Sequence, residues 1–141
     1  MSRFFYHPQS IRTSIGLLLL RVIVGSLMAT HGYVKYKGGG MFHWAGDSIP
    51  APLQFLALLS ELGGGLALVF GLLTPLAALG IVSTMLVAIF TAHWNDPIMM
   101  TGKGGAKEPA LLFLAPALLL VFSGAGVLSL DKIVFGRRDR L

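Results

Sequence analysis

Apolar residues along this chain are gathered into long blocks that are separated by short polar segments. The blocks cover residues 13–33, 52–73, 75–94 and 109–130. A hydrocarbon layer about 30 Å thick is crossed by about 20 helical residues, and backbone amides inside it need the internal hydrogen bonds of a helix. The pattern therefore predicts an all-α fold, an integral membrane four-helix bundle formed as one membrane domain over residues 1–141.

The composition agrees with this pattern. Hydrophobic residues make up 55% of the chain and charged residues only 12%, which leaves too few polar side chains to cover a soluble domain. The net charge of +5 fits anchoring charges at a membrane surface, and we expect no nucleic-acid binding. Because the chain has no cysteine, it holds no dithiol relay and no thiolate metal site of its own. Any redox chemistry must use groups from outside the chain.

Basic residues indicate the orientation in the membrane. Six lie on the side of the two termini and four on the side of the longer loops. The first set is Arg3, Arg12, Lys132, Arg137, Arg138 and Arg140, and the second is Lys35, Lys37, Lys103 and Lys107. This difference favours both termini in the cytoplasm of a multi-pass protein. Arg21 interrupts the first apolar block and no cleavage site follows, so we expect a retained helix and not a signal peptide.

Two charged residues fall near the middle of predicted spans, where a charge is costly and needs a partner. Arg21 lies in the first span and Glu61 in the second, and an extended arginine could bridge their small difference in depth. We predict an Arg21–Glu61 ion pair. Either this pair only fixes the register of two helices, or Glu61 is a carboxylate that handles protons beside a ligand pocket.

Polar and small residues recur at three- and four-residue steps, which predicts one polar stripe on each of the first two helices. The stripes consist of Arg21, Gly25, Met28, His31, Gly32 and Lys35, and of Gln54, Ala57, Glu61, Gly64 and Gly65. The run Gly63 to Gly65 lets either a neighbouring helix or a flat ligand approach the backbone.

Titratable residues also gather at the end opposite the termini. They are His31, Lys35, His43, Asp47, His93 and Glu108. Histidines at a membrane interface are often simply solvated, but this concentration is the best candidate site in the chain. A haem between His31 and His93 and a metal held by the histidines with Asp47 are alternatives, although no spacing here is diagnostic of either. Glu108 before Pro109 also fits the start of a helix.

Several motifs resemble the DoxX family of small bacterial membrane proteins. They are LLLLRVIVG, HGYVK, PAPL, SELGGGLALVFGLLTP, the run into AHW, EPALLF and GVLSLD, which follow in order over nearly the whole chain. The resemblance implies a four-helix bundle in the bacterial inner membrane. It also implies relatives connected with thiosulfate:quinone oxidoreduction and oxidative-stress complexes, although a cysteine-free chain lacks residues for direct sulfur transfer.

The leading functional hypothesis is a membrane subunit of a redox complex with a quinone-facing pocket between the first two spans. In it Glu61, His31 and His93 carry proton chemistry, and Arg21, Lys35 and Trp94 bind the cofactor, a quinone. The partners are then the lipid bilayer and other membrane or redox subunits, and the glycine-lined faces would permit a homo-oligomer. The alternative is a non-catalytic membrane anchor or assembly subunit. A small-solute carrier is a third reading, which the small number of spans disfavours.

Overall fold

The computed structural model describes residues 9–102 and 104–136, and within them the chain forms helices and connecting turns without a strand. The helices are α1 (Ile11–Gly39), α2 (Ala51–Phe70), α3 (Thr74–Thr91), α4 (Glu108–Ser123) and α5 (Leu130–Phe135), with a short 3₁₀ turn at Gly46–Ser48. Some basic residues used above for orientation lie outside the described residues: Arg3, Lys103, Arg137, Arg138 and Arg140.

The first helix is longer than the apolar block that predicts it. Ser10 caps its start by accepting a hydrogen bond from the Thr13 amide at 3.2 Å, and the helix ends at Gly40, whose φ is +71°. Its 29 residues span about 43 Å, which exceeds the hydrocarbon thickness of about 30 Å. The last turns of α1 therefore extend past the predicted end at Tyr33 and include Lys35.

The second and third helices form a tight hairpin. The helix α2 ends at Phe70, and α3 begins at Thr74. The chain reverses through Gly71 and Leu73, whose φ values are +66° and +48°. Within α2, the five residues Leu59–Gly63 form a π-helical turn. Such a turn widens the helix locally and changes which residues share a face.

The fourth helix is shorter than predicted. The apolar block reaches residue 130, but α4 ends at Ser123 because the backbone at Gly124 and Gly126 has φ values of +70° and +76°. The following segment turns back against α1, where the Val127 amide donates to Ser14 Oγ at 3.1 Å. An apolar composition alone does not show this reversal.

The core lies where consecutive helices pack on each other. Contacts are most extensive between α1 and α2, followed by those between α3 and α4 and between α2 and α3, whereas α1 and α4 touch little. The buried apolar residues include Met28, Leu68, Ile81 and Leu120. Outer faces are apolar too, and Phe122 is 79% exposed. Large apolar side chains on the outside are expected where the surroundings are lipid.

Three helices, α1, α2 and α3, are long and apolar enough to cross a membrane, and α4 is a shorter apolar helix of 16 residues. The expected fold class is confirmed, because the described chain is all-helical and has the long apolar helices of a membrane protein.

Candidate functional site

Glycines bring the backbones of α1 and α2 into direct contact. A Cβ atom added at Gly65 would lie 2.5 Å from the amide nitrogen of Ala29, and one added at Gly32 would lie 2.5 Å from that of Leu62. Of the two uses considered for the glycines, the structure shows close helix packing. The contact leaves no room for a flat ligand, so the expected quinone pocket between the first two spans is wrong at this interface.

Glu61 is buried at the loop-side end of this interface. It lies in the π-helical turn of α2, and its side chain is only 2% exposed. Lys35, near the end of α1, donates a hydrogen bond to Glu61 Oε1 at 2.5 Å, and the lysine side chain is 26% exposed. Among the described residues, Oε2 of Glu61 has no hydrogen-bond partner. The pair thus joins a buried carboxylate to a cation that reaches the surface.

A strap of loop residues, Trp44 to Gln54, covers this pair. The Lys35 Nζ atom lies 4.4 Å from the centre of the Trp44 ring, a cation–π distance. The Trp44 indole nitrogen donates to the Gln54 carbonyl at 3.0 Å. The Gln54 side chain, only 1% exposed, accepts from the Ala45 amide and donates to the carbonyls of Gly46 and Ile49. Gln54 therefore holds the strap that positions Trp44 against Lys35.

The predicted Arg21–Glu61 ion pair is wrong. Arg21 is fully buried, but its guanidinium donates to the carbonyls of Leu68 at 3.3 Å and Leu128 at 2.6 Å. Both carbonyls lie toward the end of the bundle that holds the chain termini, so the side chain extends away from Glu61. Helical counting gave the depth of each Cα but not the direction of a long, flexible side chain.

Asp131 is the residue that sequence reasoning missed. It is fully buried beside the α2–α3 turn, where its carboxylate accepts from the amides of Leu73 at 2.6 Å and Thr74 at 2.8 Å. It is also the acid whose charge acts on Arg21. Asp131 is distant in sequence from both partners, and its place in the motif GVLSLD was the one signal available.

The histidines do not form one cluster. The His31 side chain is exposed, donates from Nδ1 to the Leu27 carbonyl at 3.2 Å and makes an edge contact with Phe113 at 5.6 Å. His93 Nδ1 lies 2.7 Å from Asp96 Oδ2. Within residues 9–102 and 104–136, no group of three or more metal-ligating side chains comes together.

Trp94 has a position typical of a membrane-interface residue. Its ring is 60% exposed and lies 5.7 Å from the ring of Phe90, on the outer side of α3. Of the predicted site residues, Lys35 and Glu61 contact each other. Within the described chain, the structure shows no direct contact between that pair and the other four, which are Arg21, His31, His93 and Trp94.

A groove of about 590 Å³ opens between α1 and α4, the two helices that touch little. Its walls include Ile23 and Leu27 from α1 and Leu112 and Phe113 from α4. The lining is apolar except for Glu108, at the loop-side end. The volume falls in the range of about 300–1,000 Å³ that is typical of small-molecule sites. The groove between α1 and α4 is therefore a second candidate binding region, separate from the Lys35–Glu61 pair.

These features define an all-helical integral membrane protein with a buried acid–amine pair at one end and an apolar groove between α1 and α4. The DoxX family model matches residues 16–94, and the chain belongs to this family. The resemblance found in the sequence motifs is therefore confirmed.

Relatives cover nearly the full chain. "Putative oxidoreductase CatD" of Bacillus subtilis (strain 168) is 32% identical, over 86% of this chain and 88% of the relative. "Inner membrane protein YqjF" of Escherichia coli (strain K12) is 30% identical, over 85% and 92%. An uncharacterized protein of Haemophilus influenzae is also 30% identical, over 89% and 87%. No solved structure matches the chain.

Proposed function

We propose that this chain is a membrane subunit of a redox assembly in which Glu61 and Lys35 move the protons of a quinone reaction. One observation carries the proposal: Glu61 is a nearly fully buried carboxylate with one oxygen bonded to an ammonium group and, among the described residues, no partner on the other. Buried acids inside membrane segments commonly handle protons. A relative named as an oxidoreductase supports the class of reaction.

In quinol oxidation, this chain would transfer the protons and a partner subunit would accept the electrons. A quinol that is oxidised releases two electrons and two protons. The proposal assigns the electrons to a cofactor of a partner subunit, since this chain has no cysteine to hold an iron–sulfur cluster of its own. Glu61 accepts one proton at Oε2 while Lys35 is bonded to Oε1, and rotation of the carboxyl group then brings that proton to the lysine side.

The two side chains of the pair differ in exposure, and this difference sets the direction of proton transfer. Glu61 is 2% exposed and Lys35 is 26% exposed, so the lysine ammonium is the group that meets solvent. Once Glu61 is neutral, Lys35 releases one ammonium proton to solvent at the loop side. The neutral amine then takes the proton of the Glu61 carboxyl group, which restores the ion pair, and two such cycles carry the two protons of one quinol. Trp44 positions the lysine over this route. His31 lies one turn before Lys35 in α1, and its ring contacts Phe113, which lines the groove between α1 and α4.

The decisive variant is Glu61→Gln, which keeps the size of the side chain but removes its proton chemistry. We expect quinol oxidation by the assembly, purified in mild detergent from its native host, to fall by about 10²–10⁴-fold. The amount of assembled protein and its thermal stability should stay close to the original. The control is Asp47→Asn, since Asp47 is an exposed acid of the same loop side.

A non-catalytic anchor or assembly subunit is the second candidate. It is favoured by Arg21, whose guanidinium, among the residues the structure describes, bonds backbone carbonyls alone and so acts as a connector between helices. Under this function Glu61→Gln lowers the yield of the assembly and leaves its rate per assembled molecule unchanged. That outcome, or a preparation without any redox subunit, would overturn the proposal of proton transfer.

A further inference from the structure

The groove between α1 and α4 has two unlike ends. Toward the middle of the bundle its lining is apolar and includes Leu20, Val24 and Pro116. At the loop-side end it reaches Glu108, the first residue of α4. From Glu108 to Pro116 the groove follows α4 over about 12 Å. Such a cleft complements an amphiphile whose tail lies toward the middle of the bundle and whose head lies at Glu108.

The rim of the groove faces outward from the bundle. Two of its residues are largely exposed, Ile23 by 59% and Leu112 by 66%. The outer faces of apolar membrane helices meet hydrocarbon, so we expect the groove to open sideways to the lipid layer. A hydrocarbon chain of a membrane lipid can then enter the groove without crossing water.

Glu108 is the residue that gives the groove a charge. The other described residues of the lining are apolar. Its Oε2 atom accepts from the Met100 amide at 3.2 Å, and its Oε1 atom has no hydrogen-bond partner in the described part of the chain. Lys107, which precedes it in sequence, donates instead to the Asp96 carbonyl at 2.9 Å. The groove therefore presents one fixed carboxylate, with an oxygen to spare, to the head of its occupant.

This carboxylate selects among the heads of membrane phospholipids. Phosphatidylglycerol has a phosphate and hydroxyl groups, so its head is an anion, which a carboxylate repels. Phosphatidylethanolamine also has an ammonium group, which can donate a charge-assisted hydrogen bond to Glu108 Oε1. Because Glu108 begins α4, it lies where the apolar helix ends and the layer of lipid heads begins. The phosphate can then stay hydrated in that layer.

The dimensions favour a lipid chain over a helix from a second copy of the protein. A helix with its side chains is about 10–12 Å across. The groove has a volume of about 590 Å³ and follows α4 for about 12 Å, so it would take only one side of such a helix for about two turns. An acyl chain is narrower and can lie inside the groove along its length.

We propose that the α1–α4 groove binds a phospholipid whose head carries a primary ammonium group. One acyl chain lies along the apolar lining and the ammonium donates to Glu108. The lipid fills the gap between two helices that touch little, and so completes the bundle on that side. The inference is independent of the proposed function, because neither Glu61 nor Lys35 lines the groove.

The head assignment is tested by lipid binding to the purified full chain in a mild detergent, measured by native mass spectrometry. The probes are phosphatidylethanolamine and phosphatidylglycerol with identical acyl chains. We expect phosphatidylethanolamine to bind about tenfold more tightly, which corresponds to about 1.4 kcal/mol. Glu108→Gln keeps the size of the side chain and removes its charge, so it should abolish this preference. The control Asp47→Asn changes an exposed loop-side acid that does not line the groove, and it should keep the preference.

The position of the chain is tested by two matched tryptophan substitutions in α1. Ile23 and Leu19 are both 59% exposed and lie one turn apart, but of these two residues only Ile23 lines the groove. Ile23→Trp should fill the groove and lower the affinity for phosphatidylethanolamine about tenfold. Leu19→Trp should leave that affinity unchanged. Thermal unfolding of each variant confirms that the fold is intact.

Three results would overturn the proposal. The first is phosphatidylglycerol that binds as tightly as phosphatidylethanolamine, or a preference that Glu108→Gln leaves unchanged. The second is an equal effect of the two tryptophan substitutions on lipid affinity. The third is a protein that binds neither lipid and forms a dimer that Ile23→Trp disrupts, since a second copy would then occupy the groove.

A third lipid keeps the head assignment testable if Glu108→Gln does not fold. Phosphatidylcholine carries a positive charge on a trimethylated nitrogen and has no N–H group to donate. The original protein should bind it more weakly than phosphatidylethanolamine, because the hydrogen bond to Glu108 is lost. Equal affinity for these two lipids would contradict an ammonium donor at Glu108.

Discussion

Glu61 and Asp131 are acids with almost no exposed surface, and their neighbours give them different roles. Asp131 uses both carboxylate oxygens to accept backbone amides at the start of α3. Glu61 uses one oxygen for Lys35 and leaves the other without a partner in the described chain. A carboxylate with both oxygens bonded to amides is fixed as a structural acceptor, whereas a free oxygen can accept a proton. The difference arises at the scale of single hydrogen bonds.

The substitution Asp131→Asn tests the structural role. The amide keeps one acceptor oxygen, but one of two backbone amides loses its bond and the buried Arg21 loses the negative charge that acts on it. Removing one member of a buried charged set is costly, so we expect the unfolding free energy in detergent to fall by about 3 kcal/mol. Thermal unfolding measures the change. An Asp131→Asn protein as stable as the exposed-site variant Asp47→Asn would contradict this role.

The contact between α1 and α2 shows what glycine does at the scale of an element. Gly25 and Gly65 let the helix backbones approach so closely that a single methyl group has no space. Close approach of this kind replaces the hydrophobic driving force that is missing between helices in lipid. It also holds Lys35 of α1 at the depth of Glu61. The same packing thus builds the site and excludes a ligand from the interface.

Replacing Gly65 by alanine should weaken this interface. The added Cβ would lie 2.5 Å from the Ala29 amide nitrogen and 2.7 Å from the Gly25 carbonyl oxygen, so the helices must separate. We expect a loss of about 1–3 kcal/mol in unfolding free energy, as for other overpacked interiors. The control is Gly16→Ala in α1, where nothing lies within 4 Å and alanine should be neutral or slightly stabilising. Equal effects of the two substitutions in the same unfolding assay would contradict the packing argument.

At the scale of the whole molecule, the Lys35–Glu61 pair, the Trp44–Gln54 strap and the start of α4 lie at one end of the bundle. The connection from α4 to α5, with Leu128 and Asp131, lies at the other end beside Arg21 and the α2–α3 turn. The two polar clusters are therefore at opposite ends of the apolar helices. We expect the loop side to face away from the cytoplasm, because of the distribution of basic residues.

Single cysteines can test this orientation and the crossing of the short helix α4. The chain has no cysteine, so each introduced thiol reports alone. Asp47, Asn95 and Lys132 are exposed positions in the two longer loops and in α5. A membrane-impermeant maleimide should label Asp47→Cys and Asn95→Cys in intact cells, and Lys132→Cys only after lysis. The reverse pattern would invert the topology, and labelling of all three in intact cells would show that α4 does not cross.

The sequence by itself determined the membrane class, the all-helical fold and the family. These follow from the spacing and length of apolar blocks, since a backbone in lipid has few alternatives to helix. It also determined the buried faces of α1 and α2, because residues three and four apart share a helix face. Arg21, Gly25 and Gly32 are buried as the stripe on α1 predicts, whereas His31 of the same stripe is exposed.

Only the tertiary structure decided which charges meet. Helical counting places a Cα at a depth, but a lysine or arginine side chain can extend toward either end of its helix, and its direction depends on the neighbouring helices. Arg21 therefore bonds the carbonyls of Leu68 and Leu128, while Lys35 takes the partner that was assigned to Arg21. The groove between α1 and α4 also depends on tertiary packing, because it exists where two helices distant in sequence fail to close on each other.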